Sequence, residues 1–207
     1  APVTDVAKML PSASATTRPA LWGFCAAVWR KNAVQAAASV PRATGAAAYL
    51  VGGAVRDLLI TRPSRDFDLA TDADEAAIRS AFPNAEPHGP FGTFRIADDV
   101  EITRLRSDGA YVDGRRPENV RFGGSLADDL ARRDFTINAL ALGYAVKAKE
   151  PTLVDPHRGA ADIAARRLRA VGDPDERFGE DTLRILRGYR LAGALDLAIE
   201  KNTRAAM

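Results

Sequence analysis

The apolar run from Ala47 to Val51 opens directly onto Gly52-Gly53, and a short helix-forming stretch follows from Val55 to Leu59. Nine residues after Asp57 comes Asp66-Phe67-Asp68, and Pro63 must end the helix before this second strand begins. A glycine turn that opens a helix lets backbone N–H groups come close to a phosphate. In an extended segment residues i and i+2 point to the same side, so Asp66 and Asp68 share one face. Two carboxylates so placed repel each other unless a cation lies between them. Hard oxygen ligands of this kind suit Mg²⁺, which completes its shell with water and substrate phosphates. Each half alone reads blandly, as a tight turn or a solvated strand end. In this order and spacing they point to phosphoryl or nucleotidyl transfer.

Further along, Asp72 to Phe82 reads as a helix with acidic residues in its first turn, ended by Pro83. Phe94 to Ala97 and Glu101 to Leu105 are predicted strands around the Asp98-Asp99 turn, and Ser107 to Phe122 a long polar loop. Ser125 to Leu142 is predicted helical, Thr152 to Val154 a brief strand, Ala160 to Ala165 helical and Arg167 to Val171 extended. After Asp173-Pro174 the pattern is helical throughout, to Ala198. Ahead of the first strand, residues 1–17 read as a loose leader and Ala20 to Val40 as one or two amphipathic helices, with Trp22 and Trp29 on one face. The expected fold class is α+β. Leader and helices occupy 1–46, a small mixed sheet flanked by helices occupies 47–172, and a helical segment occupies 173–207.

A chain of 207 residues supports one good core, or one domain and part of a second. Its single cysteine, Cys25, cannot form an internal disulfide and reads as a buried small hydrophobe. No apolar run approaches the roughly 20 residues that span a bilayer, and no signal-peptide order is visible at the N-terminus. Cytoplasm is therefore the expected location, with no membrane partner. A net charge of +2 is too mild for a diffuse nucleic-acid-binding field. RNA binding would fall to positioned arginines, which suit phosphates and base edges.

Several residues could carry chemistry. Glu101 alternates with apolar neighbours in Val100-Glu101-Ile102-Thr103, where it reads either as a third carboxylate beside the aspartate pair or as an exposed strand glutamate. Arg133 could hold triphosphate oxygens, and Asp134 and Asn138, four apart on the predicted helix, could bond ribose hydroxyls. The bland alternative is a salt-bridged helix rim. Asp181, Arg184, Arg187 and Arg190 recur every three residues and form a slowly rotating stripe. Asp181 can accept from an exocyclic amine and Arg184 can donate to a ring acceptor, a pairing that cytosine and adenine offer and guanine and uracil do not. A solvated charged face is the plain alternative. His88 and His157, the two histidines, lie in no metal-binding spacing and read as structural or exposed.

These residues spell a known pattern. YLVGGAVRDLL, RDFDLAT, FGTFRI, VEITRLR, YVDGRRP, LARRDFTINALAL, LVDPHRGAADI and RFGEDTLRILRGYR run in order from about residue 48 to 191. The chain resembles the class II tRNA nucleotidyltransferases and bacterial poly(A) polymerases of the polymerase-β-like superfamily. The resemblance implies a nucleotidyltransferase head over 47–172 and an incomplete helical neck over 173–207. It implies nucleotide-binding positions at Gly52, Gly53 and Arg56, and Mg²⁺ ligands at Asp66 and Asp68 for two ions. Glu101 would be a third catalytic carboxylate. Arg133 falls on a triphosphate position, with Asp134 and Asn138 near the sugar. Asp181 and Arg184 match a protein template for C and A, and Arg187 and Arg190 match further nucleotide contacts. The implied substrates are CTP, ATP and the tRNA 3′ end.

The loop around Tyr111 to Pro117 resembles the element linked to switching from C to A addition, which favours CCA addition over poly(A) synthesis. A binding module without turnover is the reading from another class. Departures from the family pattern are Thr182, Leu191 and Gly188. The glycine should weaken its helix by roughly 1 kcal/mol relative to alanine.

Overall fold

The computed structural model describes residues 40, 44–89, 92–108, 120–143 and 152–207. The predicted leader and its helices, Cys25 and the Tyr111 to Pro117 loop lie outside them. Strand β1 (Ala48–Val51) leads into helix α1 (Gly53–Leu59), then strand β2 (Phe67–Thr71) and helix α2 (Glu75–Ala81). Strands β3 (Glu86–His88), β4 (Thr93–Ala97) and β5 (Val100–Arg104) follow. Strands β6 (Arg106–Asp108) and β7 (Val120–Phe122) pair with each other, and helix α3 (Leu126–Ala131) and a 3₁₀ turn (Thr136–Asn138) precede strands β8 (Ala141–Gly143) and β9 (Thr152–Val154). The seven-stranded sheet runs β3-β4-β5-β2-β1-β8-β9. It is mixed: β2 and β5 are parallel, and the other neighbouring pairs are antiparallel.

Two adjacent cross-strand rows explain how this sheet divides its faces. Leu153, Leu142, Leu50, Leu69, Ile102, Phe94 and Pro87 are successive register partners across all seven strands. Register partners share a face, so this row forms one apolar floor. Ala54, Val55 and Leu58 of α1 and Ile78 of α2 are buried in the same core cluster. The next row along points the other way and reads Val154, Ala141, Val51, Asp68, Glu101, Arg95 and Glu86. Its apolar half is covered by a second cluster that includes Leu130 of α3 and Val171. Its charged half begins at Asp68.

The remaining elements are helix α4 (Gly159–Ala164), strand β10 (Arg167–Leu168), helices α5 (Pro174–Glu180) and α6 (Leu183–Leu195), strand β11 (Ala198–Ile199) and helix α7 (Lys201–Ala206). Phe135, Ile137, Leu168 and Phe178 form a third core cluster against which Ile185, Leu191 and Met207 pack. Strand β10 pairs in parallel with β11, so the change to helical sequence near 172 falls within one continuously packed body.

Three sequence expectations need correction. Residues 125–142 are not one helix: α3 ends at Ala131, the backbone turns through a 3₁₀ segment, and residues 141–143 join the sheet beside β1. Asp134 accepts the backbone N–H of Phe135 at 2.8 Å, a local bond that competes with helix continuation. Burial of Phe135 and Ile137 and the strand pairing of β8 outweigh helical periodicity there. The segment after Pro174 is not continuously helical either. Asp181 is extended (φ −154°, ψ 102°), and Asp196 takes a left-handed conformation (φ 50°) before β11. The ends of the predicted 107–122 loop are strands β6 and β7. Gly188, a weak helix former, has a packing reason: a Cβ there would lie 2.8 Å from Phe135 Cζ and 2.5 Å from Met207 Cε.

Candidate active site

A cleft of about 1060 Å³ opens where the β1–α1 turn, the β2 N-terminus, the turn after α3 and one side of α6 meet. Gly52, Gly53, Arg56, Asp66, Asp68, Arg133, Asp134, Asn138, Asp181, Arg184, Arg187 and Arg190 all line it. Twelve of the thirteen residues singled out in the sequence thus meet in one place. Glu101 is the exception and sits beside the cleft.

Gly52 takes φ 74° and ψ −135°, a region that L side chains rarely adopt, and donates its N–H to Leu140 O at 3.0 Å. A Cβ at Gly52 would lie 2.7 Å from Arg133 Nη1, so the bare backbone is what lets this guanidinium stand over the turn. Arg56 donates from Nη1 to Asn138 Oδ1 at 2.6 Å and from Nε and Nη2 to Asp57 at 2.9 and 2.8 Å. Asn138 Nδ2 donates to Asp134 Oδ1 at 3.0 Å, and Arg187 of α6 pairs with Asp134 Oδ2 at 2.9 Å. A polar chain Asp57–Arg56–Asn138–Asp134–Arg187 therefore crosses the cleft floor from α1 to α6. Asp134 and Asn138 do meet, through the turn rather than along a helix face.

Arg133 is aimed by Asp129. Its Nε and Nη2 donate to Asp129 Oδ2 at 3.2 and 2.9 Å, while Arg132 holds Oδ1. Asp129 is 2 % exposed. Burial pushes its carboxyl up, but the Arg133 and Arg132 guanidiniums outweigh burial and hold it below the usual carboxylate value. Asp68 behaves in the opposite way. Solvent reaches it from the cleft, yet protein crowds its other sides, and this desolvation raises its pKa. Arg133 opposes the rise, while the charges of Glu101 and Asp66 add to it.

Glu101 is the register partner of Asp68, so the two carboxylates stand side by side on adjacent strands. The Glu101 carboxylate accepts from Arg95 Nη2 at 3.2 Å and lies 3.6 Å from His88 Nε2. Arg184 is 8 % exposed and anchored by three bonds: Nη1 donates to Glu180 Oε2 at 2.6 Å and Arg177 O at 2.9 Å, and Nη2 to Arg132 O at 3.2 Å. Asp181 precedes α6, where its Oδ1 accepts from Leu183 N at 3.0 Å. Neither side chain swings free, and both present fixed polarity to the cleft.

Sequence reasoning missed Asp129, Glu180, Arg62 and Arg65. The i,i+4 pairs Asp129–Arg133 and Glu180–Arg184 were available signals for the first two. Arg62 and Arg65 line the cleft from the loop before β2, and Arg62 Nη1 reaches Ala194 O of α6 at 3.4 Å. No local spacing announces that contact.

The sheet order, the glycine turn and the paired aspartates define a polymerase-β-like nucleotidyltransferase head. The chain belongs to the poly A polymerase head domain family, whose model matches residues 48–169. CCA-adding enzymes from Streptococcus pyogenes (serotype M2) and Leuconostoc citreum are 44% and 43% identical to it over 167 residues, 79% of this chain. The chain spans about 40% of the length of these relatives. A crystal structure of the Bacillus stearothermophilus CCA-adding enzyme in complex with CTP aligns with a TM-score of 0.72 at 36% identity, covering 85% of this chain and 43% of that one. A tRNA nucleotidyltransferase complexed with a primer tRNA and an incoming ATP analog aligns with a TM-score of 0.67 at 29% identity, covering 82% and 48%. Among the described residues, no helix is long and apolar enough to cross a membrane.

Proposed function

We propose that this chain is the nucleotidyl-transfer head and the start of the neck of an enzyme that adds CCA to tRNA 3′ ends, using CTP and ATP in the cytoplasm. The observation that carries it is the single cleft that joins the glycine turn and the Asp66/Asp68 pair to Asp181 and Arg184. The likeness to CCA-adding enzymes from two bacteria supports the same reading.

The triphosphate lies against the Gly52-Gly53 turn, Arg56 and Arg133, whose direction Asp129 sets. Asp134 and Asn138 face the sugar. Arg184 and Asp181 read the base by its acceptor and amine, with Arg187 and Arg190 as further contacts. The acceptor 3′-hydroxyl attacks the α-phosphorus, a new P–O bond forms, the α–β bridging bond breaks, and pyrophosphate leaves with its electron pair.

Asp66 and Asp68 fit Mg²⁺ by their chemistry. They are hard oxygen donors, and crowding makes the Asp68 charge costly until a cation offsets it. Among the described residues, no group of three or more potential metal ligands forms. A two-carboxylate donor set is what Mg²⁺ takes when substrate phosphates and water complete its shell. Two such ions, when bound, polarise the hydroxyl and neutralise leaving-group charge. Glu101, the register partner of Asp68, adds negative charge beside it while its own carboxylate is held by Arg95.

Poly(A) synthesis is the second reading, favoured by the description of the matched family. A gel extension assay with Mg²⁺ and a tRNA lacking its 3′ CCA separates them, with CTP and ATP supplied singly and together. CCA on the tRNA end is expected. An A-only ladder would move the chain to the poly(A) polymerases, and nucleotide binding without extension would mean that extension needs further domains or that the chain is a binding module.

A further inference from the structure

Beyond Asp68, the charged half of the outer sheet row has no place in the nucleotide cleft. Glu101, Arg95 and Glu86 continue the row from Asp68 toward the β3 edge. Two residues along each strand, Thr103, Thr93 and His88 face the same way, and the two threonine hydroxyls lie 3.0 Å apart. None of these side chains lines the cleft, which stops at Asp68. The result is a polar shelf that starts at the paired aspartates and extends away from the glycine turn and α6.

Arg95 is its main cation. Both of its hydrogen bonds leave from Nη2, to Glu101 at 3.2 Å and to His88 Nδ1 at 3.3 Å. Nε and Nη1 have no partner among the described residues, and the Arg95 and His88 side chains are 46% and 52% exposed. A planar guanidinium held at one nitrogen and open at the others is prepared for a phosphodiester.

In-line displacement at phosphorus puts the attacking oxygen opposite the leaving group. The arginines that would hold the pyrophosphate end, Arg56 and Arg133, meet at the Gly52 turn and Asn138, on the β1 side of Asp68. The attacking hydroxyl must therefore come from the other side, over β5 and β4. We propose that this shelf receives the 3′-terminal nucleotides of the acceptor RNA, with Arg95, assisted by His88, bound to the last phosphodiester. The inference rests on the nucleotidyl-transfer reading above and adds to it the path of the acceptor strand.

The test uses the intact gene product containing this sequence and a tRNA ending at the discriminator nucleotide. Arg95→Gln and His88→Ala are compared with wild type for acceptor KM, CTP KM and the salt dependence of acceptor binding. Arg95→Gln should raise acceptor KM about tenfold, leave CTP KM unchanged, and flatten the log–log salt slope by about 0.7, the contribution of one single-strand phosphate contact. A methylphosphonate at the last acceptor linkage should weaken wild-type binding and leave Arg95→Gln binding unaffected. A fall in kcat with both KM values and the salt slope unchanged would reduce Arg95 to a support for Glu101 and overturn the proposal. So would a rise in CTP KM alone. Wild-type protein that extends no acceptor would instead overturn the transferase reading itself.

Discussion

Arg187 Nη2 on α6 lies 2.9 Å from Asp134 Oδ2 in the turn after α3, and this ion pair ties α6 to the floor of the cleft. Asp134 is 5% exposed, and its other oxygen already accepts from Phe135 N and Asn138 Nδ2. Arg187 is half exposed, so the pair contributes less than about 1 kcal/mol to stability. Its consequence lies in positioning. Arg187→Ala should leave Tm within a few degrees of wild type and raise the KM for both CTP and ATP by about tenfold. Steady-state kinetics beside a thermal melt would check both halves, and unchanged nucleotide KM would refute the role.

Asp68 pays for its place at the cleft with crowding and with neighbouring negative charge. Replacing it with the neutral isostere should remove that cost. Asp68→Asn is expected to raise Tm at neutral pH without metal while abolishing incorporation, and Asp66→Ala should abolish incorporation as well. A destabilised Asp68→Asn protein, or one that still extends RNA, would contradict the assignment.

Arg184 reaches the cleft through Glu180, which also accepts from Arg177 Nη1 at 2.7 Å. Glu180→Ala should therefore relax discrimination against UTP and GTP without removing any group that faces the base. The Asp181→Ala, Arg184→Ala double variant should relax it further. Misincorporation assays with single nucleotides measure this, and unchanged selectivity in the double variant would remove the templating role.

Asp129 links stability to pH. Its folded carboxyl titrates below the ordinary value because of Arg133 and Arg132, so the folded state binds fewer protons than the unfolded one in that window. Its contribution is complete above an unfolded value near 3.8 and is lost as pH falls through the lower folded value. Asp129→Ala breaks a buried pair and should cost about 3 kcal/mol at pH 7, with a smaller difference from wild type in acid. Urea titrations at pH 7 and pH 3 test the sign: a difference that grows in acid would contradict it.

Gly188 separates two expectations cleanly. Helix propensity alone predicts that Gly188→Ala stabilises by about 1 kcal/mol. The buried Phe135 ring, 2.8 Å from the added Cβ, predicts destabilisation of about 1–3 kcal/mol, because the ring cannot move without disturbing the third core cluster. One thermal melt decides between them.

Local physics wrote much of this protein into its sequence. The β1–α1–β2 unit was legible because an apolar strand, a glycine turn and the i,i+2 aspartates are short-range features that need no distant partner. Arg133, Asp134 and Asn138 were legible as members of one site lining but misread as one helix. Their backbone is set by β8 joining β1 and by Phe135 entering a core shared with α6, and both are contacts between residues far apart in the chain. The break at Asp181 was hidden for a similar reason. A three-residue charge rhythm looks helical until the carboxylate is seen to accept from Leu183 N. Residue types and spacing singled out groups that line one cleft. Tertiary structure decided that Asp68 and Glu101 stand side by side, that Arg187 meets Asp134, and that a charged shelf leads away from the cleft, because strand order and register depend on burial summed over the whole sheet.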